Sequence, residues 1–302
     1  MTLLVTLLAT SVALSLPTLL AALGEVVNER AGVLNVGLEG VMLCGAFAAA
    51  FTYQRSNSFV YSLGSAVIAG LLTLVVLGLL FLWRQTEQIV TGILFNIFAL
   101  GLTATLSTKY VSQAVKVETL PKLSFGPLSD IPGLGPVVFH QTILVYLTVV
   151  LVVVLQLILS RTWFGMRIRA VGERPMVAYQ NGVSVMTLRW ASLAFGCIFA
   201  ALGGATLVLS QSGSFYPGIT SGSGFIALAL VVLGRFSPLG ILVAAYGFGI
   251  ASSLQFYSSS FGFGGPGARY LWIAFPFVVT VVALCTSKKS RYPAAIGKRF
   301  DK

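Results

Sequence analysis

The chain has 302 residues, 57% of them hydrophobic and only 9% charged, with a formal net charge of +11. A soluble domain carries roughly 25% charged residues, so this set is too small to coat a water-facing globule, and lipid is the natural solvent. The basic excess is no nucleic-acid footprint either, because it sits in short breaks between long apolar runs and not on one stripe interleaved with aromatics.

A span needs about 20 mostly apolar residues. The sequence offers nine candidates: 3–24, 33–53, 59–83, 88–108, 140–160, 187–209, 221–234, 239–258 and 270–286. The expected fold class is therefore an all-α polytopic membrane protein, a single membrane domain over 1–302. The first run begins at Met1 with no basic segment before it, so it is expected to be a retained span and not a cleaved signal. The seventh run is short for a full crossing, which predicts a tilted helix or a half-helix buried in protein. With odd-numbered spans running inward, 14 of the 19 basic residues fall on the inner side, leaving Arg55, Lys109, Lys116, Lys122 and Arg269 outside. That bias puts the N-terminus outside and the C-terminus in the cytoplasm. It makes 109–140 an outer loop and 287–302 an inner tail. The prolines of that outer loop, Pro121, Pro127, Pro132 and Pro136, favour turns over helix. His140, which closes it, has no Cys or acid at ligand spacing.

In the second span one ionisable group stands out. Glu39 lies in AGVLNVGLEGVMLCGAFAAAF, where a buried charge is costly and defaults to a functional hypothesis. Asn35, four residues earlier, is expected on the same helical face. The carboxylate is either a solute-facing or helix-bridging group at a discontinuous helix, or a structural one bonded to backbone amides of a neighbouring span, and the sequence leaves these open. In the fourth span Gln88, Gly92, Asn96 and Thr103 fall on one face of a helix, again for solute or for a second helix. Between the sixth and seventh spans, SQSGSFYPGITSGSG (210–224) reads as an outer gate or re-entrant turn. Gln211, Phe215 and Tyr216 belong to this stretch. The two aromatics are placed either to stack on a planar ligand or to sit at the membrane interface. These seven side chains, Asn35, Glu39, Gln88, Asn96, Gln211, Phe215 and Tyr216, are the candidates for a solute path.

The inner segment 161–186 carries Arg167, Arg169 and Arg174 against the single acid Glu173. Pro175 suits a helix first turn and Asn181-Gly182 a helix end, so a short helix is expected from about Glu173 to Gln180. Gly172 is expected to lend a turn its backbone freedom. Cys44, Cys197 and Cys285 lie in apolar runs and read as small hydrophobic residues. The sequence holds no HExxH, GxSxG or P-loop motif, so catalysis and ATP hydrolysis are not expected of this chain.

Four ordered motifs carry a family resemblance: GEVVNERAGVLNVGLEGVMLCGAF (24–47), EQIVTGILFNIFALGLT (87–103), FGMRIRAVGERPMVAYQNGV (164–183) and GFIALALVVLGRFSPLG (224–240). Together they resemble a bacterial ABC importer permease, in the nucleoside and simple-sugar branch of the branched-chain amino acid/ribose permease superfamily. The similarity covers nearly the whole chain. It implies a type II-like permease with about nine transmembrane helices, some of them broken. It implies that Gly165–Val183 is a coupling segment docking on a cytoplasmic ATPase, through Gly165, Arg167, Arg169, Gly172, Glu173, Arg174 and Pro175. The chain resembles the shorter of two unlike permeases, which implies a heterodimer, a tandem ATPase and an extracytoplasmic solute-binding protein. No cofactor is then bound by this chain, and ATP and Mg sit on the ATPase. The implied location is the bacterial cell membrane. The implied solute is a nucleoside, with simple sugars and riboflavin-like or purine-like solutes as alternatives. A stand-alone secondary transporter or channel is the competing class; ion coupling wants intramembrane carboxylates, and Glu39 is the one clear case in the predicted spans.

Overall fold

The structure, a computed structural model, describes residues 3–111, 117–123, 133, 135–257, 268–286 and 292–300, with 268–270 as backbone only. Much of the predicted outer loop and residues 287–291 of the predicted tail lie outside this set. The helices are α1 (Leu3–Arg30), α2 (Leu38–Ser56), α3 (Phe59–Gly78), α4 (Gln88–Tyr110), α5 (Ile143–Arg161), α6 (Trp163–Glu173), α7 (Pro175–Gln180), α8 (Val185–Thr206), α9 (Ser223–Leu233), α10 (Pro238–Tyr257) and α11 (Ala268–Thr286). Wide π-helical turns extend α3 over Leu79–Trp83 and α8 over Leu207–Ser212. No β-strand occurs among the described residues.

Helix α1 is the axis of the bundle. From Ser15 to Glu29 every residue is buried, because α8, α9 and α10 pack around it. Pro17 stands inside this helix. Proline has no N–H, so the carbonyl four residues earlier, on Ala13, loses its helical donor. The Gln211 amide supplies a replacement, with Nε2 donating to Ala13 O at 2.9 Å. A freed carbonyl inside a membrane protein needs such a partner because no water is at hand.

The packing of α2 on α8 is backbone to backbone. A Cβ built on Gly45 overlaps the main chain of Ala201, and one on Gly204 overlaps the carbonyl of Met42. Between lipid-solvated helices there is little hydrophobic drive to associate, so small residues that let backbones touch supply the attraction.

The two ends of the bundle are told apart by what meets there. At one end Arg30 donates from Nε and Nη2 to Phe236 O at 2.9 and 2.7 Å, and α6 and α7 lie beneath it. At the other, Leu120 N donates to Leu209 O at 2.8 Å and Gln141 Nε2 to Ala9 O at 3.2 Å. Among the described residues six helices are long and apolar enough to cross a membrane by themselves, and α9 and α11 are shorter apolar helices. The nine predicted runs fall on α1–α5 and α8–α11. The pass through α9 is a half-helix: its 11 residues rise about 17 Å at about 1.5 Å each, roughly half of a bilayer core of about 30 Å.

Two boundaries differ from the sequence reading. The first span runs on to Arg30 instead of ending at 24, because the polar residues Glu25, Asn28 and Glu29 are buried inside the bundle. The second starts at Leu38 instead of 33, because Gly32 at φ +81° leads the chain out of the helix over 31–37.

Replacing Gly204 with valine forces α2 and α8 apart. We expect a loss of about 1–3 kcal/mol, seen as a lower thermal midpoint of the detergent-purified protein. Gly101, which has open space where its Cβ would stand, is the control, and Gly101→Ala is expected to leave the midpoint unchanged. Equal behaviour of the two variants would contradict the close packing.

Candidate functional site

The half-helix α9 begins against a carboxylate. Glu39, in the first turn of α2, accepts from Gly222 N through Oε1 at 2.8 Å and from Gly224 N through Oε2 at 2.7 Å. The first N–H groups of any helix lack partners within it, and an anion there also suits the helix dipole. Gly222 sits at φ +87°, a left-handed conformation that glycine adopts without strain. At Gly224 a Cβ would fall 2.6 Å from the Glu39 Cα, so the two elements touch. Of the roles open to Glu39 in the sequence, this geometry is that of the helix-bridging carboxylate, with each oxygen occupied by an amide.

The break at 31–37 is clasped by α4. Gln88 Oε1 accepts from Leu34 N at 2.7 Å. Asn96 Oδ1 accepts from Gly40 N at 2.8 Å, and its Nδ2 donates to Val36 O at 2.9 Å. Gly92, between them, rests on Val36 and Gly37, and Thr103 returns its hydroxyl to Ala99 O at 2.7 Å. The predicted stripe on α4 thus faces α2 and the unwound segment, where it replaces hydrogen bonds that the broken helix has lost.

Asn35 is not on a helical face with Glu39. It lies in the unwound segment before α2, where the chain no longer turns with helical period. Its backbone N–H donates to Glu25 Oε1 at 2.8 Å, and its buried side-chain amide has no partner. Glu25 also accepts from Asn28 Nδ2 at 2.8 Å. Glu25, Asn28 and Glu29 are all buried, so Glu39 is not alone among the acids held inside the bundle. Ending the first span at 24 left these residues in a loop. Their i, i+3, i+4 spacing was the available signal, since it sets them on one face once the helix continues.

Across the bundle, Gln211 is spent on Ala13 O, as described above. Phe215 is 2% exposed and meets Phe47 edge-on at 5.7 Å between ring centroids. It is a core residue here, with no face open for stacking on a ligand. Tyr216 is 47% exposed. The seven candidates therefore form two groups, one around the break at 31–37 and one between the π-helical turn and α9.

Helices α6 and α7 make a separate surface. α7 matches the predicted short helix, with Pro175 in its first turn and Gly182 at φ +77° after its end. α6 was not foreseen, because the glycines and arginines of 163–173 were read as a loop. Thr162 caps it, its hydroxyl accepting from Gly165 N at 3.2 Å. The two glycines are there for contact: a Cβ on Gly165 overlaps Ile158 O, and one on Gly172 overlaps Arg30 O. Gly172 is an ordinary helical residue, not a turn. So α6 is pressed against the ends of α5 and α1. On its outer side Arg167, Glu173 and Arg174 are exposed and Arg169 half-buried. Met166, Met176, Val177 and Tyr179 stand exposed beside them. A groove of about 350 Å³ runs between the pair, lined in part by Glu173, Arg174 and Val177.

Residues 7–284 match the family described as "Branched-chain amino acid transport system / permease component". The chain belongs to this permease family. It is similar to the guanosine ABC transporter permease protein NupQ of Bacillus subtilis, at 34% identity over 282 residues, covering 89% of this chain and 87% of that protein. A provisionally named glucose ABC transporter permease protein of Haloferax volcanii, TsgC13, is 34% identical over 269 residues, 87% of this chain and 81% of its own. The nucleoside ABC transporter permease protein NupC of Lactococcus lactis is 30% identical over 311 residues, 95% of this chain and 94% of its own. No solved structure matches the chain. The protein is thus a multi-pass membrane permease component, a non-catalytic subunit of an ABC transporter.

In this permease the Glu39 bonds predict a specific phenotype. Glu39→Gln keeps one acceptor oxygen and turns an NH2 group toward an amide donor. It is expected to cost about 1–3 kcal/mol of stability and to reduce transport while the subunit still assembles. Thermal unfolding and uptake of the same variant are the measurements. Wild-type stability with altered solute affinity would show that the carboxylate acts on solute and not on α9.

Proposed function

We propose that this chain is the shorter permease of an ATP-driven importer whose solute is a nucleoside. The observation that carries the coupling half of this reading is the α6–α7 pair. It projects from one end of the bundle and joins exposed Arg167 and Arg174 to exposed Met166, Met176, Val177 and Tyr179. Apolar anchors ringed by arginine are the make-up of a protein-binding surface. The groove beside Arg174 and Val177 suits an acidic and apolar partner, here a cytoplasmic ATPase. That subunit, a tandem ATPase in this reading, carries ATP and Mg. A binding protein presents solute at the opposite end, and a second, unlike permease completes the path, so that rocking of the two subunits alternates access. The pairing of NupP and NupQ names among guanosine transporter permeases of one organism supports the heterodimer. The nucleoside assignment draws on the names of NupQ and NupC, and TsgC13 supports a simple sugar as the second reading.

Orientation follows from charge. Arg30, Arg84, Arg161, Arg167, Arg169, Arg174, Arg189 and Arg235 lie toward the α6–α7 end, which by the positive-inside bias faces the cytoplasm. A cysteine placed at Lys122 is expected to react with an impermeant thiol reagent in intact cells, and one at Arg174 only after lysis. The reverse pattern overturns the orientation. For the solute, uptake of labelled guanosine and labelled glucose by cells expressing the full transporter distinguishes the two readings; saturable nucleoside uptake that excess glucose does not compete is the expected result.

For coupling, the double variant Arg167→Ala, Arg174→Ala is expected to weaken co-purification of the ATPase and to cut solute-stimulated hydrolysis in proteoliposomes by about tenfold, within the range of energetic coupling between sites. Solute affinity of the binding protein should stay unchanged. Full assembly together with full stimulation would reduce α6–α7 to a basic loop.

A further inference from the structure

The segment after α11 returns to the bundle and lies between the α6–α7 pair and the membrane helices. Its nine described residues, 292–300, touch elements that are far apart in the chain. Tyr292 meets Phe236, in the turn after α9, edge-on at 5.4 Å. Ala295 N donates to Gly172 O of α6 at 2.9 Å, and Gly297 N donates to Gly32 O of the α1–α2 break at 3.1 Å. Lys298 O accepts from Arg189 Nη1 of α8 at 3.0 Å. Phe300 O accepts from Gln85 Nε2, in the turn after α3, at 3.0 Å. The Phe300 ring is buried with Val171 of α6, Ala178 of α7 and Val185 of α8, and it meets Tyr179 of α7 at 5.8 Å.

The segment is tied by main-chain groups, and so by its path. Gly297 at φ +68° turns the segment so that its amide faces Gly32. At Gly32 a Cβ would stand 3.1 Å from both Ala295 O and Arg189 Nη2, leaving no slack between break, tail and α8. Arg189 is 2% exposed and keeps Nε and Nη2 unpartnered, so the Lys298 carbonyl is the bond that holds a costly buried cation in place.

We propose that residues 292–300 are a strap that transmits force, with Phe300 as the positioning residue that seats the α6–α7 pair and Ala295–Lys298 as its link to the α1–α2 break. Movement imposed on α6 and α7 passes through Phe300 and Ala295 to Gly32 and Arg189, and from there to the unwound segment clasped by Gln88 and Asn96. Contiguous packed and hydrogen-bonded contacts of this kind are what carry coupling between distant sites. The strap rests on α6–α7 being the surface that docks the ATPase.

The test compares Phe300→Ala, Phe300→Leu and the Arg167/Arg174 double variant in the assembled transporter. Each is scored for co-purification of the ATPase, basal hydrolysis and hydrolysis stimulated by solute-loaded binding protein. Phe300→Ala is expected to leave expression of the membrane bundle and basal hydrolysis near wild type, and to lower stimulation by about tenfold. Phe300→Leu, which refills the apolar pocket, should restore most of it. A merely structural role would instead lower expression and every activity in proportion. Unchanged stimulation in Phe300→Ala alongside a defective arginine variant overturns the strap alone. Unchanged stimulation in both overturns the docking surface on which it rests.

Discussion

Two backbone amides at the start of a short helix decide how this bundle is arranged. Gly222 N and Gly224 N open α9, and both end on the Glu39 carboxylate. An unsatisfied amide in hydrocarbon costs several kcal/mol, so a helix can start at mid-depth only where protein supplies an acceptor. Glu39 is available because α2 itself starts late, after the break at 31–37. That break is affordable in turn because Gln88 and Asn96 take up its free backbone groups. One interruption supports the next, and α4 clasps the first of them.

The same rule accounts for Pro17. A proline in the buried middle of α1 frees the Ala13 carbonyl, and Gln211 arrives from the π-helical end of α8 to occupy it. Polar side chains in this protein are mostly engaged with main chain. Among the described residues the exceptions include Glu29, Asn35 and Arg189 near the α6–α7 end and Ser210 in the π-helical turn of α8, which carry buried atoms without partners. Poorly satisfied buried groups are the points at which a second arrangement costs least, and the first three sit beside the strap and the break. Helix pairs in backbone contact hold the rest, among them Gly204 on Met42 and Gly172 on Arg30.

Much of this was legible in the chain. Apolar runs of about 20 residues mark where the long helices lie, because lipid tolerates neither charge nor unpaired backbone. Pro175 and Asn181-Gly182 dictate α7, because helix ends have local chemistry. α6 escaped notice because the residues that seat it, Gly165 and Gly172, resemble loop residues until their neighbours Ile158 and Arg30 are in place. The extra turn of α1 escaped for a related reason: Glu25, Asn28 and Glu29 look like the start of a loop until Asn35 closes over them.

What the sequence determined by itself was therefore the solvent, the all-helical class and the positions of the apolar runs. Each of these depends on transfer energies and helix-end preferences that act within a few residues. Only the tertiary structure decided what the polar residues do. Whether Glu39 meets solute or amides, whether Phe215 is open or buried against Phe47, and whether the tail hangs free or lies under α6 all depend on which segment arrives opposite. Hydrogen bonds and ring contacts are made between partners as far apart in the chain as Gly32 and Gly297, and no local pattern records the partner's position.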